Sequence, residues 1–237
     1  MNIKINNSDQ DEKKSNQKRN HEIKNHLYDG QTVIIPNLDN SHCPRNLVKE
    51  ICESNVNDLT LIYVTDSIKY EDGDNSPVEI IKNGQVRKLI TCDLGDISDN
   101  YADYVDSIEL YPMDILKLKI QASANFIPGD YGIYISKEYA EKYRDEKYIS
   151  DHIFTFDDNN KSVVLEEPFD ADISIISVDS VDKDNFNCKI INKNNIDIIK
   201  NIASAGNMCF VETCNNNNYE ESNDNYQISG KIIYGFI

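Results

Sequence analysis

The chain has 237 residues, a formal net charge of -17 and 39% hydrophobic side chains. It is long enough for one large α/β domain or two small ones, and to bury a full core without disulfide staples. The charge argues against a nucleic-acid or anionic-membrane binder, because both partners are polyanions.

Residues 1–26 are rich in Asn, Lys, Asp, Gln and Glu and read as a disordered polar arm. The arm contains no apolar stretch of signal-peptide type, and no apolar run in the chain approaches the ~18 residues of a membrane span. The folded part, residues 27–237, is expected to start near Leu27. Asp29-Gly30 reads as a turn and Thr32-Val-Ile-Ile35 as a short apolar strand. Asn37 to Cys43 is a polar loop, and Pro44 opens a helix whose apolar stripe is Leu47, Val48 and Ile51. Leu59 to Val64 is the next strand, which completes a βαβ unit, normally right-handed and parallel.

The alternation continues with a helix at Pro77–Lys82, a turn at Asn83-Gly84, and strands at Val86–Thr91 and Ser107–Leu110. Pro112 opens a helix through Ile115, Leu116, Lys119 and Ala122, and Ser136 N-caps a short helix over Lys137–Tyr143. Further strands are expected at Ile153–Phe156, Val163–Leu165, Ile173–Val178 and Cys188–Ile191. A helix at Ile196–Ala205 ends at Gly206 as its C′ residue, and Met208–Thr213 is a near-continuous apolar strand of the kind buried on both faces. Residues 215–227 form a polar insertion before a last strand at Lys231–Phe236. The fold class is therefore α/β, with a mostly parallel central sheet and helices on both faces.

Candidate chemistry is sparse. The six Cys include no CxxC and no zinc-spaced Cys/His group, which reads as reduced, mostly buried thiols of a cytoplasmic protein. Of the four His, His21 and His26 fall in the arm, His42 in the loop after the first strand and His152 at a strand start. The loop position is the one at which open α/β sheets bind ligands. Glu166 and Glu167 are adjacent at a strand end, so their side chains diverge and do not act as a pair. Asp170, Asp172, Asp179, Asp182 and Asp184 lack the Gly and terminal Glu of a calcium loop. No P-loop, GxGxxG, GxSxG or HExxH occurs.

Several segments are nevertheless similar, in the same order, to the alpha subunit of the family I coenzyme A transferases. Asp29-Gly30-Gln31-Thr32-Val33 resembles that family's opening Asp-Gly-x-Thr-Val, and Pro44-Arg45-Asn46-Leu47 its x-Pro-x-x-Leu. Asn57-Asp58-Leu59-Thr60, Asn83-Gly84-Gln85-Val86, Leu165-Glu166-Glu167-Pro168, Ala171-Asp172, Asp182-Lys183-Asp184-Asn185 and Val211-Glu212 each match a further family segment. The departures fall in the glycine loop between the first strand and the first helix, where the family has Gly-Gly-Phe-x-x-x-Gly. Here Pro36, Asn37, Leu38, Asp39, Asn40, Ser41 and His42 stand in its place. Pro lacks a backbone N–H, and Asp39 brings a negative charge to a place where a nucleotide phosphate would approach.

The resemblance implies a fold shared with CoA transferases and ribose-5-phosphate isomerase, with coenzyme A as substrate and no permanently bound cofactor. It implies a heteromeric cytoplasmic enzyme that moves CoA between an acyl-CoA and a short-chain 3-oxo acid. Residues 36–42 are the expected cofactor-binding segment, and no metal site is expected. In the family the nucleophile is a glutamate of a separate beta subunit, in a Ser-Glu-Asn-Gly motif that this chain does not contain. No catalytic residue is therefore expected here, and a chain like the CoA-transferase beta subunit is the expected partner. The alternatives are a non-catalytic paralogue that binds or scaffolds, and a sugar-phosphate isomerase or deaminase on a related scaffold.

Overall fold

A computed structural model describes residues 22–38, 43–65, 75–94, 103–127, 129, 131–136, 153–155, 161–182, 184–191, 195–214, 219–220 and 227–237. Its frame is a seven-stranded sheet built from β1 (Thr32–Asn37), β2 (Leu59–Thr65), β3 (Val86–Thr91), β4 (Ser107–Leu110), β8 (Ala171–Val178), β11 (Gly206–Thr213) and β13 (Ile233–Phe236). The strands lie in the order β13-β11-β8-β1-β2-β3-β4, and every pairing is parallel. The mostly parallel sheet expected from the sequence is present. Helices α1 (Arg45–Cys52) and α2 (Pro77–Lys82) cover one face, and α3 (Met113–Ala124) and α4 (Ile196–Ala205) the other.

β1 is central, with β2 on one side and β8 on the other. From β1 the chain winds toward β4 with α1 and α2 on one face; from β8 it winds the opposite way, toward β11, with α4 on the other. Right-handed crossovers require this change of face when the direction of travel reverses. Burial on both sides explains the unbroken apolar run of β1: Val33 and Ile35 face α1, while Ile34 faces α3 and α4.

Two small sheets are added to this frame. An antiparallel one comprises β5 (Tyr131–Ser136), β6 (Ile153–Thr155) and β7 (Lys161–Glu166), with β7 in the middle. The other joins β9 (Ser180–Asp182), β10 (Cys188–Lys189) and β12 (Tyr219–Glu220) just beyond the carboxyl end of β8. β5 has no counterpart in the sequence expectation; Ser136 ends it, and the helix expected over Lys137–Tyr143 lies outside the described residues. So do His21, His152 and most of the 215–227 insertion, within which Tyr219–Glu220 forms β12.

Three expectations need correction. The fold begins before Leu27: Ile23 is fully buried in a 3-10 turn over Ile23–Asn25, and His26 packs on Phe210 and Tyr234, so Glu22–His26 belong to the domain and not to an arm. The first strand runs on to Asn37, so Pro36 and Asn37 are strand residues and not loop. Gly206 follows α4 as expected but is not a left-handed cap; at φ -87° and ψ 147° it is already extended and is the first residue of β11. Glycine is required there by contact, because a Cβ would stand 2.5 Å from the Ser174 backbone nitrogen.

The turns before β1 and β3 share one construction. Gly30 and Gly84 take φ values of +82° and +71°, and the next residue in each case is a buried glutamine. Gln31 accepts from the Tyr28 N–H and donates to the His26 carbonyl, while Gln85 donates to the carbonyls of Ile51 and Val56. Asp172, at the start of β8, accepts from the Thr32 N–H and the Tyr28 hydroxyl. The Asp-Gly-Gln and Asn-Gly-Gln segments thus secure the amino end of the sheet.

Glu166 and Glu167 diverge as expected. Glu166 is buried and pairs at 2.6 Å with Lys119 of α3, whose ammonium also donates to the Glu167 carbonyl. The ammonium lies 5.0 Å from the Tyr111 ring centroid and 4.9 Å from that of Phe169, within cation–π range.

These contacts set the cost of two substitutions. Gly206→Ala forces β11 away from β8 and is expected to cost about 1–3 kcal/mol, read as a lower urea midpoint at unchanged slope; an unchanged midpoint refutes the contact argument. Lys119→Met leaves the Glu166 carboxylate buried and alone, at an expected cost of about 3–5 kcal/mol, and Lys119→Met with Glu166→Leu recovers most of it. A double variant no more stable than the single one would refute that account.

Candidate functional site at the carboxyl end of the sheet

The reversal of winding at β1 opens a crevice beyond the carboxyl ends of β1 and β8, where open α/β sheets bind ligands. Of the segment expected to bind the cofactor, the described residues are Pro36, Asn37 and Leu38; Asp39, Asn40, Ser41 and His42 lie outside them. Pro36 pairs with Val64 of β2 within the strand, and Leu38 packs on the α3/α4 side of the core. Asn37 is half-buried at the rim, and its side-chain amide donates to the Tyr63 hydroxyl at 2.8 Å. Tyr63 is itself 1% exposed, its ring in the α1-side core and its hydroxyl at the crevice.

The chain re-enters the described structure at Cys43 and Pro44 and begins α1 at Arg45. This end is anchored by Glu212 of β11. One carboxylate oxygen accepts from the Asn46 N–H at 2.8 Å and the Leu47 N–H at 3.1 Å; the other accepts from the Asn46 side-chain amide at 3.3 Å. Glu212 is 5% exposed. Burial pushes its carboxyl above the ordinary carboxylate range, against the opposing pull of the Leu47, Asn46 and Arg45 N–H groups and the Arg45 charge. A helix whose cap residue is Pro44, with no side-chain capping bond, has its first-turn N–H groups satisfied from another strand.

The rest of the described rim carries hydroxyl and thiol groups. Ser177 of β8 and Cys214, just after β11, lie 3.1 Å apart Oγ to Sγ, and the Cys92 thiol, just after β3, donates to the Thr65 carbonyl. Sequence reasoning missed Tyr63, Ser177, Glu212 and Cys214 as rim residues. Glu212 alone carried a signal, as the single charge in the apolar run Met208–Thr213.

Other residues singled out in the sequence have structural work. Asp179 accepts from the Ile191 N–H, and Asp182 accepts from the N–H groups of Asp184 and Asn185, closing a turn. Among the described residues no group of three or more His, Cys, Asp or Glu is arranged to hold a metal ion. No described helix is long and apolar enough to cross a membrane. The six Cys all lie among the described residues, and none is in a disulfide.

Burial pushes the Cys52 and Cys209 thiols up to about 12, and raises Cys188 as well. These three are expected to resist a thiolate-selective reagent at neutral pH until the chain unfolds, with labelling sites read by peptide mass spectrometry. Rapid labelling of Cys209 in the native protein would contradict the packing described.

No protein-family model and no curated protein matches the chain. Solved structures match in fold. A variant of the decarboxylase AibA/AibB aligns at 12% identity and TM-score 0.67, over 91% of this chain and 79% of that one. Glutaconate coenzyme A-transferase from Acidaminococcus fermentans aligns at 17% identity and TM-score 0.64, over 92% and 75%. The acyl-CoA transferase YdiF from Escherichia coli O157:H7, in a thioester complex with CoA, aligns at 15% identity and TM-score 0.68, over 91% of this chain and 47% of that one. The fold is that of the CoA-transferase-like α/β proteins, and this chain spans less than half of the YdiF polypeptide.

Proposed function

We propose that this chain is the alpha subunit of a cytoplasmic, heteromeric CoA transferase that moves CoA between an acyl-CoA and a short-chain 3-oxo acid. In this reading coenzyme A is a substrate, and the acyl-accepting glutamate comes from a partner chain like the family's beta subunit. The observation that carries the reading is the position of the crevice. The segment that replaces the family's glycine loop, residues 36–42, starts at the switch point between β1 and β8, in a fold shared with CoA-transferase structures over nine-tenths of the chain. The family-like segments support it by following one another in the same order along that fold.

Such chemistry splits one acyl exchange into two easier ones through an acyl–enzyme anhydride and a glutamyl–CoA thioester. Each tetrahedral stage needs preorganised donors at its developing oxyanion. Among the described rim groups, the Tyr63 and Ser177 hydroxyls and the Asn37 amide are uncharged. The nucleophile and the cationic groups are assigned to the partner.

One observation favours a second reading, a non-catalytic paralogue that binds or scaffolds. The glycine loop has been replaced throughout by residues with side chains, and Pro36 removes a backbone donor from its first position.

Native mass spectrometry of the protein purified from its own cells separates the two. The expected result is a stable complex with a second chain carrying Ser-Glu-Asn-Gly, which transfers CoA only when both chains are present. A homo-oligomer, or a complex with an unrelated chain, overturns the catalytic reading.

A further inference from the structure

α3 ends in a Schellman motif: the Phe126 N–H donates to the Ser123 carbonyl and the Ile127 N–H to the Ala122 carbonyl. The motif places Phe126 in the left-handed region, at φ +52°. Glycine is the usual residue at that position, and a bulky aromatic is strained there. The ring gains no burial in exchange, for Phe126 is 82% exposed. Two costs thus fall on one residue, and backbone strain of this kind is concentrated at functional positions. Beside the ring lies a cavity of about 400 Å³ at the amino ends of β8 and β11. Its apolar wall includes Ile127, itself 40% exposed, Pro168 and Phe169. The Phe169 ring packs edge-on to Tyr111 and lies 4.9 Å from the Lys119 ammonium, whose charge Glu166 already meets. Two exposed acidic residues, Glu167 and Asp170, also line the cavity, and no described Lys, Arg or His does.

We propose that Phe126 and this cavity form a docking surface for a second protein, whose docking segment carries an apolar side chain beside a Lys or Arg. A ring that stands out of the surface needs a surface that encloses it, which another protein supplies and a small ligand does not. The cavity next to the ring receives the partner's apolar side chain, so that knob and hole lie side by side, as at the centre of a protein interface. Glu167 and Asp170 select a cation at its edge. A second copy of this chain would instead bring those two carboxylates against their counterparts, added to the repulsion between two chains of net charge -17. The surface lies at the opposite end of β8 from the crevice, so the inference is independent of the proposed function.

The test uses the full chain made in its own cells. With the photoreactive p-benzoylphenylalanine in place of Phe126, irradiation is expected to cross-link another protein, at a peptide with an apolar residue beside a Lys or Arg. Phe126→Gly keeps the Schellman motif and removes the ring, so that protein should bind about thirtyfold more weakly, the loss typical of an aromatic anchor. The urea midpoint of the isolated chain should meanwhile stay level or rise, because glycine is unstrained at φ +52°. Glu167→Gln with Asp170→Asn should weaken binding roughly threefold at low salt and hardly at all at high salt, since charges at an interface rim are screened. This charge variant also carries the test if the Phe126 variants do not fold.

Cross-links to a second copy of this chain, to a peptide without a neighbouring cation, or to no protein at all overturn the proposal. So does unchanged binding in Phe126→Gly, a lowered urea midpoint, which would return the ring to the fold, or binding that salt does not weaken. None of these readouts involves turnover or CoA. The CoA-transferase reading therefore stands or falls separately, by the mass-spectrometric test.

Discussion

The reversal of winding at β1 governs the rest of the molecule. A parallel strand pair needs a crossover, and the crossover has one hand. Once β8 is placed on the far side of β1 from β2, α4 must cover the face opposite α1, and no helix can bridge the carboxyl ends of β1 and β8. The crevice is what remains. Its floor is the end of two strands buried on both faces, and the described polar groups at its rim include Asn37, Tyr63, Ser177, Cys214 and, from the next strand out, Glu212.

Both ends of this sheet are tied across the chain. At the amino end, Gln31 donates to the His26 carbonyl and Gln85 to the Ile51 carbonyl, while Asp172 at the start of β8 accepts from the Thr32 N–H at the start of β1, 140 residues earlier. At the carboxyl end, Glu212 of β11 holds the Asn46 and Leu47 N–H groups of α1, 165 residues earlier at Leu47. Each end therefore joins the half of the chain that winds toward β4 to the half that winds toward β11.

The reach of each signal along the chain explains what could be read from the amino-acid sequence. Helices at Pro77–Lys82 and Ile196–Ala205 and strands at Val86–Thr91 and Ser107–Leu110 were legible to the residue, because apolar periodicity and turn residues are local signals. The family-like segments Asp29-Gly30-Gln31 and Asn83-Gly84-Gln85 were legible for the same reason, and they turn out to secure the amino end and not the crevice. β5 was missed between two stronger patterns. The extent of β1 was misjudged because Pro36 and Asn37 look like loop residues, yet Pro36 fits a strand whose neighbour β8 is registered only at Val33 and Ile34. Glu212 was visible only as a charge in an apolar run; its partner, the first turn of α1, lies 165 residues earlier at Leu47, and no spacing rule reaches that far.

The passage from α4 into β11 without an intervening loop has a consequence for how this chain tolerates changes of length. Side chains of a strand alternate between faces, so adding or removing one residue between Ala205 and Gly206 would exchange the two faces of the whole strand. Phe210 would turn toward α4, Cys209 toward α1, and Glu212 away from the helix it holds. Elsewhere an extra residue can be absorbed by a turn; here helix phase, strand phase and the geometry of the crevice are one quantity, and the gene must keep this junction fixed in length even as its letters drift.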